Sequence, residues 1–182
     1  FKVYRNNPND SFSISGNQIT TILEDKNNSI WVGTRGGGLN HFDREKEQFT
    51  RFTHDIDNKK SISNNYVTDL YEDEFGVILV ATQSGLNILN PNTNTFSVFT
   101  EMDKNSALQN ARITTITNDS KNFIWIGTVE NGLFRFNRET GEIRNYVVQN
   151  SSISDNWIVT LYEDKSGALW VGTQSGGLNK FD

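Results

Sequence analysis

A unit of 45 to 48 residues recurs four times in this chain of 182 residues, and it constrains the fold more than any other feature. Its clearest mark is a five-residue, largely apolar run that ends in Gly-Thr in three copies and in Ala-Thr in the second copy. Trp31, Leu79, Trp125 and Trp170 occupy the second position of that run and follow one another at 48, 46 and 45 residues. Such a period suits the blades of a β-propeller better than the repeats of a helical solenoid.

The first three copies divide into four short segments that read as strands a, b, c and d, and the last copy contains a, b and c. Strand a carries two aliphatic residues three apart, such as Ile19 and Ile22, and strand b is the apolar run. Between them stands Asp three residues ahead of Asn or Gly, as in residues 25–28, which is typical of a hairpin turn. Strand c reads Gly-Leu-x-x-Phe or a close variant, and strand d carries a pair such as Phe49 and Phe52. The order predicts four-stranded antiparallel sheets.

The b strands are nearly continuous apolar runs, which indicates that both faces of each sheet are covered. Small sheets packed face to face around an axis have this property. We therefore predict an all-β fold, a single β-propeller domain over residues 1–182. Its blades should lie at about 13–52, 61–99, 107–146 and 152–182, the last with an added strand at 1–4.

Residues 1–4 match strand d, because Tyr4 precedes Ser13 by nine residues as Phe52 precedes Ser61. If this segment pairs with the last strand c, four blades close into one ring and no sheet edge is left exposed. Otherwise the four blades join others in a larger ring or in a head-to-tail dimer. The first residue is Phe and not Met, so we expect a piece of a longer chain.

The charge and composition exclude some partners. Net charge is −5, from 22 acidic and 17 basic residues, and no basic stripe appears, so no nucleic acid partner is expected. The chain has no cysteine and hence no disulfide framework. No cofactor and no metal site is predicted. Glu-Asp pairs recur at three of the hairpin turns, which favours a structural role over a catalytic one, since an enzyme needs one specialised pair.

The combined pattern of Glu-Asp turn, Leu/Ile-Trp-Val/Ile-Gly-Thr and Gly-Gly-Leu-x-x-Phe-Asp resembles the two-component regulator propeller repeat. That repeat occurs in the extracytoplasmic sensor regions of hybrid histidine kinases and related bacterial regulators. The resemblance covers essentially the whole chain and implies a periplasmic or extracellular location and the sensing of carbohydrates or their breakdown products. The second copy departs most, because Leu79 and Ala81 replace Trp and Gly.

Candidate binding residues are those whose place in the repeat is constant while the side chain changes. Connections d–a and b–c should meet on one face of the propeller, so residues at those ends should surround the mouth of a central channel. Arg side chains there suit carboxylates, amides suit hydroxyls, and aromatic rings stack on sugars. The candidates are Gln18, Tyr66, Arg112 and Trp157 before strand a, and Arg35, Gln83, Gln174 and Glu130 (beside Val129) after strand b.

Three functions follow from these observations. The first is a non-catalytic module that binds a small molecule or oligosaccharide, an acidic sugar by preference, and reports to histidine kinase regions of its parent chain. A second is a protein-interaction or oligomerisation scaffold, for instance a homodimer. The third is a propeller lyase or hydrolase, for which the sequence offers no unique cluster of acid and base residues and hence no catalytic residues.

Overall fold

The structure, a computed structural model, describes residues 1–91, 93–99, 108 and 110–181, and all its regular elements are β-strands. The described residues include no helix that could serve as a membrane span. The strands are β1 (Ile19–Glu24), β2 (Ile30–Thr34), β3 (Leu39–Asp43), β4 (Gln48–Phe52), β5 (Val67–Glu72), β6 (Ile78–Thr82), β7 (Gly85–Asn90), β8 (Thr95–Val98), β9 (Ile113–Asn118), β10 (Phe123–Thr128), β11 (Leu133–Asn137), β12 (Ile143–Tyr146), β13 (Ile158–Glu163), β14 (Leu169–Thr173) and β15 (Leu178–Phe181). The predicted all-β class is confirmed.

The strands form four antiparallel sheets, each a simple meander. Blade one is β1 to β4, blade two β5 to β8, blade three β9 to β12, and blade four has only the three strands β13 to β15. The first strands of successive blades pack side by side, β1 on β5, β5 on β9 and β9 on β13. The predicted propeller of four repeats is confirmed, while the expected start of blade three at 107 and the final Asp182 lie outside the described residues.

The turn between the first two strands of each blade has the predicted geometry. In blade one the carbonyl of Asp25 accepts the N–H of Asn28 at 2.9 Å, and Asn28 has φ 61°. The equivalent residues Gly76, Asn122 and Gly167 also have positive φ, at 79°, 63° and 84°. Asn and Gly tolerate this left-handed conformation, which explains why those residues recur at the end of the turn.

The apolar core lies at the boundaries between blades. Trp31 and Leu39 of blade one pack against Val67 and Leu70 of blade two, and equivalent clusters fill the next two boundaries. In blades one and three the next blade approaches the fourth residue of strand b so closely that the position is Gly, whereas blade two has Ala81 there. A Cβ atom on Gly127 would lie 2.7 Å from a methyl group of the following blade, which is too short for a stable contact.

Two expectations about closure are not met. Residues 1–4 form no strand, and β15 pairs only with β14, so the predicted pairing of the first segment with the last strand c is absent among the described residues. Tyr4 instead packs edge-on against Phe42, with ring centres 5.1 Å apart. The inner strands β1 and β13 lack the extensive packing that joins neighbouring inner strands, and Ile22 and Leu178 are exposed at the two ends of the series of blades. One chain is an open arc of four blades.

Candidate functional site

The eight candidate residues lie at one end of the blades, opposite the Asp turns. In blade one the N–H of Arg35 donates to the carbonyl of Gln18 at 2.9 Å, which ties the start of strand a to the end of strand b. The same bond recurs in the other blades as Gln83 to Tyr66 at 3.2 Å, Val129 to Arg112 at 2.9 Å and Gln174 to Trp157 at 2.9 Å. Glu130 follows the buried Val129 and is exposed. We call the eight candidates the rim.

A second repeated bond links the rim of one blade to that of the next. The N–H of Gly38, in the b–c loop of blade one, donates to the carbonyl of Asn65, in the loop that enters blade two, at 2.8 Å. Equivalent bonds run from Gly85 to Ala111 at 2.9 Å and from Gly132 to Asn156 at 3.0 Å. The loops that carry the rim are therefore held together across all three blade boundaries.

Blades one and two bring two predicted residues into direct contact. Arg35 and Tyr66 form an isolated β-bridge, and the Arg35 guanidinium lies 5.3 Å from the centre of the Tyr66 ring. A cation over a ring face is attracted by the ring's quadrupole, so the contact orients the guanidinium. Arg35 is exposed and Tyr66 half-buried. The two side chains together place one cation and one aromatic ring in a fixed relative position at the rim.

The remaining rim residues do not touch one another so closely. Trp157 is 40% exposed, and Gln18, Arg112, Glu130 and Gln174 are exposed as well. Because the arc is open, the rim of blade four lies at the other end from that of blade one. In the part of the chain that the structure describes, the eight residues follow the arc of the four blades.

A set of Asn and Ser residues that supports the rim was not foreseen from the sequence. In blade one the Asn40 side chain accepts the N–H of Ser15 at 2.8 Å and donates to the Ser15 hydroxyl at 2.8 Å. The same clamp joins Asn87 to Ser63 and Asn179 to Ser154. It fixes the d–a loop against strand c. Its signal was present in the repeated Ser-Ile-Ser and Gly-Leu-Asn triplets, although Phe134 replaces Asn in blade three.

Asp155 anchors the rim of blade four. Its carboxylate accepts the N–H of Trp157 at 3.0 Å and that of Ser175 at 2.9 Å, and so connects the d–a and b–c loops. These two hydrogen bonds, that from Trp157 first, lower the pKa of Asp155 below its ordinary value of 3.8. The group is thus ionised at neutral pH and holds the backbone at Trp157 in place.

The rim has the chemistry of a binding surface. It offers two guanidinium groups, three amides, one carboxylate and two aromatic rings. Among the described residues, no group of three or more His, Asp or Glu side chains is placed to hold a metal ion. What the arrangement can do is recognise a polar ligand with carboxylates, hydroxyls and a flat apolar face.

Comparison with protein families gives one match. The model described as "Two component regulator propeller" matches residues 13–36, 61–84, 107–130 and 152–175, which together make up more than half of the chain. These ranges are the same four copies that the sequence period defines. No curated protein matches the chain.

Two solved structures from B. thetaiotaomicron are similar over nearly the whole chain, and both are extracellular domains of proteins described as hybrid two component systems. The first has 25% identity and a TM-score of 0.81, covering 98% of this chain and 24% of its own. The second has 20% identity and a TM-score of 0.77, covering 99% and 25%. Virginiamycin B lyase from Staphylococcus aureus, at 15% identity and TM-score 0.60, covers 91% and 55% and shares the fold alone. The chain spans about a quarter of the two extracellular domains.

Proposed function

The chain belongs to the two-component regulator propeller family, and from that premise we propose that it is a non-catalytic ligand-sensing module of a two-component signalling system. Two of the solved structures that it resembles are extracellular domains of proteins described as hybrid two component systems. In this proposal the module lies on the periplasmic or extracellular side of a bacterial inner membrane, and the histidine kinase regions belong to the parent chain. Its ligand is a carbohydrate or a carbohydrate-derived molecule held at the rim.

The observation that carries the proposal is the contrast between backbone and side chains at the rim. One backbone hydrogen bond recurs at the rim of every blade and a second at each of the three blade boundaries, yet the residue before strand a differs in all four blades and the residue after strand b is Arg, Gln, Val or Gln. A rigid frame that offers interchangeable polar and aromatic groups is how a scaffold provides a binding site. At the other end of the blades, where the fold depends on the side chain, the turn keeps Asp in every blade.

The composition of the rim supports an acidic sugar as the ligand. Arg35 and Arg112 supply guanidinium groups that can pair with a carboxylate through two parallel hydrogen bonds. Tyr66 and Trp157 supply rings for the apolar face of a pyranose. Since Tyr66 already holds Arg35, part of the cost of ordering that side chain is met before the ligand arrives.

Signalling requires that the ligand bind two arrangements of the sensor with different affinities. Contacts that span blade boundaries are suited to this, because a ligand that touches two blades favours one relative position of them. The Arg35–Tyr66 pair lies on such a boundary. We therefore expect the effective ligands to bridge adjacent blades, with Arg112 of blade three and Trp157 of blade four as the contacts across one such boundary.

Isothermal titration calorimetry with uronic-acid oligosaccharides and with neutral oligosaccharides of equal length tests the proposal. We expect the acidic series to bind more tightly, and Arg112→Ala and Trp157→Ala each to weaken binding at least about tenfold, which is the loss of one charged hydrogen bond or one stacked ring. Lys121→Ala is the matched control, because Lys121 is an exposed cation at the opposite end of blade three. Absence of binding by both series, or equal loss in the control, would contradict the proposal.

A further inference from the structure

The loops that lead into blades one and two fold in the same way. We call them the first and the second entry loop, residues 5–13 and 53–61. In the first, the Ser13 hydroxyl accepts the N–H of Asn7 at 2.8 Å and donates to the Asn7 carbonyl at 3.0 Å. In the second, the Ser61 hydroxyl makes the same two bonds with Asp55, both at 3.0 Å. The serine hydroxyl therefore closes both loops in the same way.

The backbone of the two loops is equivalent as well. The N–H of Ser13 donates to the carbonyl of Asp10 at 3.2 Å, and that of Ser61 donates to the carbonyl of Asn58 at 2.9 Å. The carbonyl groups of Asn58 and Ser61 thus have the same places in the second entry loop as those of Asp10 and Ser13 in the first.

In blade one an arginine side chain binds these carbonyl groups. Arg51, on the outermost strand β4, donates through Nε to the carbonyl of Ser13 and through Nη2 to that of Asp10, both at 2.7 Å. Its Nη2 also lies 2.6 Å from the Ser13 hydroxyl oxygen. A planar guanidinium group matches oxygen atoms in this arrangement, and its charge makes each bond stronger than a neutral one. Arg51 therefore joins the first entry loop to strand β4.

Blade two has a valine where blade one has this arginine. Arg51 lies opposite Asn40 in the sheet of blade one, and Val98 lies opposite the equivalent Asn87 in blade two. The side chain of valine can donate no hydrogen bond, so the three contacts of the Arg51 guanidinium have no counterpart at this position. The carbonyl groups of the second entry loop are left without that guanidinium.

A cavity of about 390 Å³ lies at this place in blade two. The second entry loop forms one wall, and the other wall contains Val98, Ser84 and Asn110. None of the eight rim residues lines it. Its volume falls within the range of pockets that hold small molecules. The cavity is therefore a second candidate site, separate from the rim.

The groups around the cavity suit a cation with an apolar stem. Backbone carbonyls require a donor, and the carboxylate of Asp55 stands in the same wall. Ile56 and Ile62 also line the cavity and offer apolar surface. Lys59 is the opposing charge, but its side chain is exposed and can extend into water.

We propose that this cavity binds an alkylguanidinium group that comes from outside the fold and takes the place that Arg51 has in blade one. Two N–H groups of the ligand donate to the carbonyls of Ser61 and Asn58, and its alkyl part packs on Val98 and Ile56. The group can belong to a free small molecule or to an arginine side chain of a peptide, because the same contacts serve both.

Titration of the wild-type chain with ethylguanidinium, followed by nuclear magnetic resonance, tests the proposal. The amide N–H of Ile62 belongs to the same peptide unit as the Ser61 carbonyl, so its resonance should shift and saturate when that carbonyl accepts a hydrogen bond. We expect a dissociation constant in the millimolar range, because the ligand is small. Ethylurea is planar but uncharged and should bind at least about tenfold more weakly.

Two substitutions exchange the difference between the blades. Val98→Arg supplies an internal guanidinium and should weaken the binding of ethylguanidinium at least about tenfold. Arg51→Val should open an equivalent cavity in blade one and add a second saturable shift at Ile14, the residue after Ser13. Ser97→Arg is the matched control, because Ser97 is exposed and its side chain points to the opposite face of the same strand. It should leave the shift at Ile62 unchanged.

The peptide acetyl-Gly-Arg-Gly amide distinguishes the two sources of the group. Tighter binding of the peptide than of ethylguanidinium supports an arginine side chain of a partner, and tighter binding of ethylguanidinium supports a free small molecule. Three results would overturn the proposal: no saturable shift of Ile62 in the wild type, equal binding of ethylurea, or undiminished binding by folded Val98→Arg. The wild-type titration decides the matter even if a variant fails to fold.

Discussion

The two ends of each blade differ in what they repeat. At the turn end the side chains are uniform, since Asp25, Asp119 and Asp164 each accept the indole N–H of the Trp six residues later, at 2.7 to 2.8 Å. At the rim only the backbone hydrogen bonds are uniform, and the side chains vary. The side chains at the turn end therefore stabilise the fold. Those at the rim do not hold the fold together and can contact a ligand.

The largest effect is expected at a buried turn. The carboxylate of Asp119 accepts the N–H groups of Lys121 and Phe123 at 3.0 and 2.9 Å, and the indole N–H of Trp125 at 2.7 Å. Asp119→Ala leaves these donors without a partner beside a fully packed Trp. We expect a loss of about 3 kcal/mol in the free energy of unfolding, measured with urea.

Asp164→Ala is the comparison for that experiment. Asp164 holds Trp170 in the same way, but Trp170 is half-exposed on the open back of blade four. Water can replace the lost partner there, so the cost should be clearly smaller. Equal losses at Asp119 and Asp164 would show that burial does not set the value of this bond.

Blade two is the exception at the turn end. Leu79 replaces Trp, so Asp73 has no indole to accept, although its carboxylate still accepts the N–H groups of Phe75 and Val77. Arg138 reaches across from blade three and forms an ion pair with the buried Asp73 carboxylate. A guanidinium from the next blade thus takes the place of the missing indole.

Removing that guanidinium gives the second largest effect. We expect Arg138→Met to lower the free energy of unfolding by about 2 kcal/mol, because a buried carboxylate loses its counter-charge. Arg138→Lys, which keeps the charge but not the planar group, should fall between the wild type and Arg138→Met. A double-mutant cycle with Asp73→Asn isolates the pair, and a coupling energy near zero would show that the two residues act independently.

Asp69 sharpens the comparison because it is an Asp near the rim end of an inner strand, where the other blades have Thr. Burial raises its pKa above the ordinary 3.8, while hydrogen bonds from the N–H groups of Ile116 and Leu70 oppose the shift. The folded chain therefore holds the proton more tightly than the unfolded chain. The contribution of Asp69 to the free energy of unfolding is therefore lost as the pH rises from 3.8 through the raised pKa.

Asp69→Asn lacks this titration. The free energy of unfolding of the wild type, minus that of Asp69→Asn, should fall as the pH is raised from about 4 towards 7. Asp155→Asn is the control with the opposite sign, since the pKa of Asp155 is lowered and its contribution is lost only at lower pH. If the free energy of unfolding of the wild type minus that of Asp69→Asn grew with pH, the raised pKa of Asp69 would be contradicted.

The smallest effects on stability are expected at the rim. Arg112→Ala and Gln174→Ala should each change the free energy of unfolding by less than about 0.5 kcal/mol, because both side chains are exposed. Urea unfolding beside the calorimetric titration checks this. A rim substitution that costs as much as Asp119→Ala would remove the distinction between the two ends.

The sequence predicted the parts of the fold that depend on short-range pattern. The Asp turns, the order of strands within a blade and the shared end of residues such as Arg35 and Tyr66 all follow from positions that recur at a fixed spacing. Local turn chemistry and strand alternation are enough to specify them. The third strand of each blade was predicted for the same reason.

Other features depend on which blades meet in space, and a repeat does not contain that information. Residues 1–4 have the sequence of a strand d, yet they pair with no strand because β15 lies at the far end of the arc. Arg138 is unremarkable in the sequence and acquires its role only through contact with Asp73 of the neighbouring blade. The Asn and Ser clamps differ from these features, because each lies within one blade and its signal is present in the repeated triplets, although the two residues stand 25 positions apart in the case of Ser15 and Asn40.

The most direct test of the binding role of the rim uses the four tryptophans as reporters. Trp31 and Trp125 are buried, Trp170 lies on the back of blade four, and Trp157 alone stands at the rim. In a chain labelled with 5-fluorotryptophan, with signals assigned by Trp→Phe variants, a uronic-acid oligosaccharide should shift the fluorine resonance of Trp157 in proportion to occupancy. The resonances of the other three should stay in place. Saturable binding that leaves Trp157 unchanged and moves one of the other three would contradict the account.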